Sequence, residues 1–203
     1  MFFFDIMVIL IGTSSGAKIL VLMPQPTPSF TLSFQPLFRE LAERGHEVTS
    51  YTVFPLPPPI PANYKEVLVD NVLISSPQLG NFLKDFKDYS NSSLMNYALF
   101  LWEVGLMLSE DVLKTPPIQE LITSDESYDL IIDQSIAYFE AIAGFRYKFN
   151  CPSINLFPNS PNQLFSEITG NPLPYAYISH HNLPYNSNMS FWQRTTNTYI
   201  GLL

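Results

Sequence analysis

The chain has 203 residues, 46% of them apolar and 14% charged, which is enough apolar material for one buried core and not the composition of a disordered chain. Eighteen acidic against ten basic residues give a formal charge of -8, and with no basic cluster to neutralise a phosphate backbone this argues against nucleic acid as a partner. The acidity is read as a solvated surface.

The first residues, MFFFDIMVILIGTSSGAK, form an apolar run that closes in small residues, as a secretory signal does before its cleavage site. Asp5 interrupts the run, no basic segment precedes it, and it is shorter than the ~20 apolar residues that span a bilayer. A signal peptide over residues 1–16, cleaved after Gly16, is expected ahead of an anchor or a buried N-terminal strand. Residues 17–203 then form the mature chain. In the secretory pathway the single cysteine, Cys151, has no partner within the chain. Beside Pro152 and ahead of an apolar run, it reads as a buried inert thiol, not a nucleophile. Two sequons, at Asn91 and Asn188, are glycosylation candidates in that compartment.

Lys18 to Met23 (KILVLM) is apolar without alternation, the pattern of a strand covered on both faces. A loop is expected from Pro24 to about Ser33. Phe34, Leu37, Phe38, Leu41 and Ala42 then paint one face of a helix, and Gly45 stops it. His46 to Val53 is β-branched and aromatic, which completes a βαβ unit with a right-handed crossover. Phe54 to Pro61 holds five prolines in eight residues and is expected to be an extended loop.

Helical periodicity runs from Asn81 to Leu113. A second βαβ-like stretch follows: strand Tyr128 to Asp133, helix Ala137 to Phe149, strand Ser153 to Phe157. Beyond Pro158 the chain is rich in Pro, Asn, Ser and Tyr, and no element is assigned there. The fold class is therefore α/β, a Rossmann-like doubly wound parallel sheet. In such sheets ligands collect at the carboxyl ends of the strands, which points to the Pro24–Ser33 loop and to Asp133-Gln134-Ser135. No metal-ligand spacing, phosphate-binding glycine loop or nucleophile elbow is present. His180 and His181 are read as solvent-facing loop residues.

The stretch AKILVLMPQPTPSFTLSFQPLFRELAERGHEVTSYTV resembles the start of mature UDP-glycosyltransferases of the UDP-glucuronosyltransferase-like, insect type. YDLIID, NCPSINL, GNPLPYAYISHHNLPY and MSFWQRTTNTYIG are similar to later landmarks of the same N-terminal half, in the same order. The resemblance implies the N-terminal, acceptor-binding domain of a GT-B glycosyltransferase. It further implies transfer of a hexose or glucuronic acid from a UDP-sugar co-substrate to small lipophilic acceptors, with inversion. The donor domain and the C-terminal membrane anchor of full-length members are not in this sequence. The 203 residues are accordingly expected to bind no cofactor, to be inactive alone, and to be lumenal or secreted where full-length members are anchored in the endoplasmic reticulum. The competing reading is a non-catalytic binding module. The family places a histidine base where this chain has Phe30, flanked by Ser29 in the expected acceptor site. It places an orienting aspartate where this chain has Gln134, with Asp133 next door as the one available carboxylate. Asp133 and Gln134 are expected to point to opposite faces of the sheet.

Overall fold

The computed structural model describes residues 16–70, 94–134, 140–158, 173–180 and 183–201. Five strands, β1 (Lys18–Met23), β2 (Glu47–Thr52), β3 (Tyr64–Leu68), β4 (Leu130–Asp133) and β5 (Ser153–Asn155), form one sheet in the order β3-β2-β1-β4-β5. Every pairing is parallel. The α/β doubly wound parallel sheet expected from the sequence is the fold observed. Its strand order reverses between β1 and β4, so the first βαβ unit winds one way from β1 and the second winds the other.

Alternation along β1 sorts the core into two halves. Ile19, Val21 and Met23 pack with Val48, Ile132 and with Phe38 and Ala42 of helix α1 (Pro28–Glu43). Leu20 and Leu22 face the other way, with Ile131. There they meet Leu108 and Val112 of α2 (Leu94–Leu113), Ile118 and Leu121 of α3 (Pro116–Thr123), and Phe145 of α4 (Gly144–Phe149). Both faces are covered, which is why β1 reads as a continuous apolar run. Each fully buried Leu or Ile in it contributes about 1.5–3 kcal/mol of apolar burial.

Helix α1 corrects one expectation. The Pro24–Ser33 loop ends early, because Pro28 occupies the first helical turn, where its fixed φ suits the helix and its missing N–H costs nothing. Ser29 and Phe30 therefore belong to a helix and not to a loop. The buried stripe is Thr31, Gln35, Phe38 and Ala42; two polar residues at its head hid the helical pattern from an apolar count. The helix closes as expected at Gly45, whose φ of 93° lets its N–H reach the Ala42 carbonyl at 3.0 Å and the His46 N–H reach that of Leu41 at 3.2 Å.

Other boundaries shift. Of the helix expected over Ala137–Phe149, residues 137–139 lie outside the described residues and the rest is a 3-10 turn, Glu140–Ala143, followed by α4, ended by Asn150 in a left-handed conformation. Of the Asn81–Leu113 segment, Leu94–Leu113 is helical and residues 81–93 lie outside the described residues. Two elements, β3 and α3, were not expected, nor was α5 (Phe191–Gly201). The proline-rich stretch is a loop, as expected. The Arg39 guanidinium donates to the Pro57 and Pro59 carbonyls, and Gln35 Nε2 donates to those of Phe54 and Pro55 at 3.0 and 3.1 Å. No described helix is long and apolar enough to cross a membrane.

Candidate functional site

The crevice expected at a strand-order reversal lies where β1 and β4 end. Leu22 is opposite Asp133 in the register, so the segments that continue past Met23 and Asp133 leave the sheet side by side. Gln25 and Gln134 are tied there, Gln25 Nε2 donating to the Gln134 carbonyl at 2.6 Å across 109 residues of sequence. The start of α1 follows Gln25 within three residues.

Asp133 and Gln134 differ in how their side chains are bonded. The Asp133 side chain is wholly buried and accepts from Arg146 of α4, whose Nε and Nη2 approach at 3.2 Å, and from Asn155 Nδ2 of β5 at 2.9 Å. Parity with Ile131 places it on the α4 face of the sheet, away from α1 and Phe30. A carboxylate held by a guanidinium and a neighbouring carboxamide anchors α4 to the sheet edge. The structure brings Asp133 together with Arg146 and Asn155; Phe30 belongs to the helix on the opposite face.

Gln134 is 1% exposed, and neither its Oε1 nor its Nε2 has a hydrogen-bond partner; the same holds for the Oγ1 of Thr31, which is 2% exposed. A buried polar atom left without a partner costs roughly 1–3 kcal/mol, so the two on Gln134, just past β4, and the one in the first turns of α1 call for an explanation. Phe30, half-buried, and Ser29, exposed, stand in the first turn of α1 beside Thr31. The phenyl ring of Phe30 has no lone pair to take a proton.

Gln25, Thr31, Arg146 and Asn155 were not identified from the sequence. The helical spacing of Thr31 with Gln35, Phe38 and Ala42 was the available signal for one of them, whereas the Arg146 pairing spans two elements and leaves none. Of the remaining candidates, Asn188 is exposed, its N–H donating to Asn186 Oδ1 at 3.0 Å. Asn91, Ser135 and His181 lie outside the described residues. His180 is half-buried, its main-chain N–H donating to Asn197 Oδ1 of α5 at 2.6 Å. Cys151 is half-buried, and burial, then Asp129, pushes its thiol upward, away from the thiolate. No group of three metal-ligating side chains occurs among the described residues.

A second cleft, of about 540 Å³, opens at the amino ends of the strands between Lys18, Glu47, Tyr64, Lys65, Glu126 and Tyr128. It is lined by charges of both signs and lies at the end of the sheet opposite the crevice.

The chain is 31% identical over 198 residues, 95% of its length, to UDP-glycosyltransferase UGT4 of Dactylopius coccus. It is 28% identical over 97% of its length to UDP-glycosyltransferase UGT5, and 28% identical over 94% to UDP-glucosyltransferase 2, of the same insect. It spans only 36–37% of the length of these relatives. No protein-family model matches the chain. A solved hydrogenase domain from Pyrococcus furiosus aligns over 70% of the chain with a TM-score of 0.33 and 16% identity, a likeness too loose to inform fold or function. The resemblance to UDP-glycosyltransferases noted in the sequence thus holds along nearly the whole chain.

Proposed function

We propose, for a chain that matches UDP-glycosyltransferases over about 95% of its length, that it is the acceptor-binding part of such an enzyme. The reaction is transfer of a hexose or glucuronic acid from a UDP-sugar to a small lipophilic acceptor with inversion at the anomeric carbon. The observation that carries the reading is the similarity of nearly the entire chain to about a third of each relative, supported by the β1/β4 crevice where sheets of this kind hold ligands. In this reading the acceptor lies against the first turn of α1, with Ser29 and Phe30 on one side and Gln134 below.

Phe30 sets the chemistry of this site apart. A hydroxyl acceptor loses a proton as it attacks, and a positioned base speeds that loss by about 10²- to 10⁴-fold. Phe30 supplies no base and Asp133 is spent on Arg146, so acceptors that need less help, such as amines, are favoured over phenols. The same observation supports the second reading, a binding module that retains the crevice without catalysis.

Two measurements test these readings. Sequencing the transcript past Leu203 is expected to reveal a donor domain; a stop codon instead favours the binding module. The encoded protein, assayed with UDP-glucose and UDP-glucuronic acid against phenols and amines, is expected to gain phenol activity on Phe30→His. Unchanged activity would sink the idea that residue 30 limits transfer. The N-terminal run and exposed Asn188 support a lumenal location; secretion of a chain whose mass falls on endoglycosidase treatment is the expected result.

A further inference from the structure

We infer that the crevice selects acceptors whose polar end is a neutral edge carrying one donor beside one acceptor, and that the Gln134 carboxamide reads it. The inference rests on the acceptor-site reading above and names the acceptor's chemical class. Gln134 is 1% exposed with both Oε1 and Nε2 unpartnered, and its main chain is fixed by the 2.6 Å bond from Gln25. A side chain so placed offers an acceptor and a donor side by side.

The complement of a carboxamide edge is another such edge: the N–H and C=O of a lactam, or a hydroxyl flanked by a carbonyl. The ligand's N–H or O–H donates to Gln134 Oε1 while Gln134 Nε2 donates to the ligand's carbonyl, the two-bond pairing by which glutamine also reads the edge of adenine. Charge argues in the same direction. An anion or a cation brought to this depth needs a counter-charge, and the carboxylate next in sequence, Asp133, is paired with Arg146 on the other face. Thr31 Oγ1, in the first turns of α1 and also buried and unpartnered, is a second neutral hydroxyl that suits an oxygen or nitrogen substituent and repels neither.

Three ring-matched probes test this on the whole chain by titration calorimetry: 2-quinolinone, N-methyl-2-quinolinone and naphthalene-2-carboxylate. The lactam is expected to bind about tenfold tighter than its N-methyl derivative, the worth of one well-made hydrogen bond and the blocked approach to a second, and tighter than the carboxylate. Gln134→Met, matched in length but apolar, is expected to bind the two quinolinones equally. Equal binding of both by the wild-type chain, or a tighter carboxylate, overturns the edge reading and leaves the acceptor site standing. Failure of all three rings to bind overturns both. The wild-type comparison decides the matter even if the variant does not fold.

Discussion

The two ends of the sheet are built on different terms. At the amino end the polar groups are spoken for: the Ala17 N–H donates to His46 Nδ1 at 3.0 Å, the Lys18 N–H donates to Asp129 Oδ2 at 2.7 Å, and Lys18 Nζ pairs with Glu126. At the carboxyl end, both amide atoms of Gln134, just past β4, and Thr31 Oγ1, in the first turns of α1, are buried without partners. A fold that satisfies one edge can satisfy the other, so the difference marks the carboxyl edge as the place where something else completes the bonding. Asp133 shows the contrast within a single step of chain. It is buried like Gln134 and fully engaged, because it points to the face where α4 can bring Arg146.

Breaking that engagement is the strongest way to test the contrast. Arg146→Met leaves the Asp133 carboxylate, 0% exposed, without its counter-charge, and a loss of about 3–5 kcal/mol is expected in urea unfolding. Asp133→Leu combined with Arg146→Met is expected to recover a good part of it, since removing both charges removes the desolvation cost as well. A mild effect of Arg146→Met alone would show that the pair is solvated and that the carboxyl edge is looser than it looks.

The amino end answers to alkali. Burial, opposed in part by the Ser50 hydrogen bond and reinforced by the Glu66 carboxylate, pushes the Tyr64 phenol up from 10.0 to about 12. Its folded value lies above the unfolded one, so its contribution is complete below the unfolded value of 10.0 and is lost as pH rises toward about 12. Urea midpoints are expected to fall across that window, and Tyr64→Phe to flatten the fall without abolishing it, because burial raises the Tyr128 phenol too.

What the sequence disclosed follows the same division. The strands β1 and β4 were legible because both faces are covered, and α1 was legible from Phe34 on because its apolar stripe is regular there. β3, YKEVL, was not: with Lys65 and Leu68 exposed at the sheet's edge, it carries neither a continuous nor an alternating apolar pattern. The start of α1 was misplaced for a related reason, since Thr31 and Gln35 hold sheet-facing positions that an apolar count assigns to a loop. At the site, the position of Gln134 came from resemblance and its opposite orientation to Asp133 from strand parity. Its unpartnered state could come only from coordinates, because it depends on residues a hundred positions away failing to reach it.

Gln134→Met sharpens the comparison in the opposite sense from Arg146→Met. An apolar side chain of the same length removes two unpartnered polar atoms and leaves the main-chain bond from Gln25 intact, so stability is expected to rise by about 1 kcal/mol. A loss would mean the amide is already satisfied in solution. Lys18→Met gives the smallest effect. Lys18 and Glu126 side chains are 35% and 50% exposed, and such pairs are screened by salt and offset by the entropy of holding them. The Lys18 ammonium also lies 5.1 Å from the Tyr128 ring centroid, and a methionine side chain keeps much of that contact. Unfolding curves of wild type and Lys18→Met are therefore expected to coincide at high salt and to differ barely at low salt. A loss rivalling that of Arg146→Met would mean that the amino edge is held by its side-chain charges and not by the main-chain bonds of Ala17 and Lys18, which a substitution at Lys18 leaves in place.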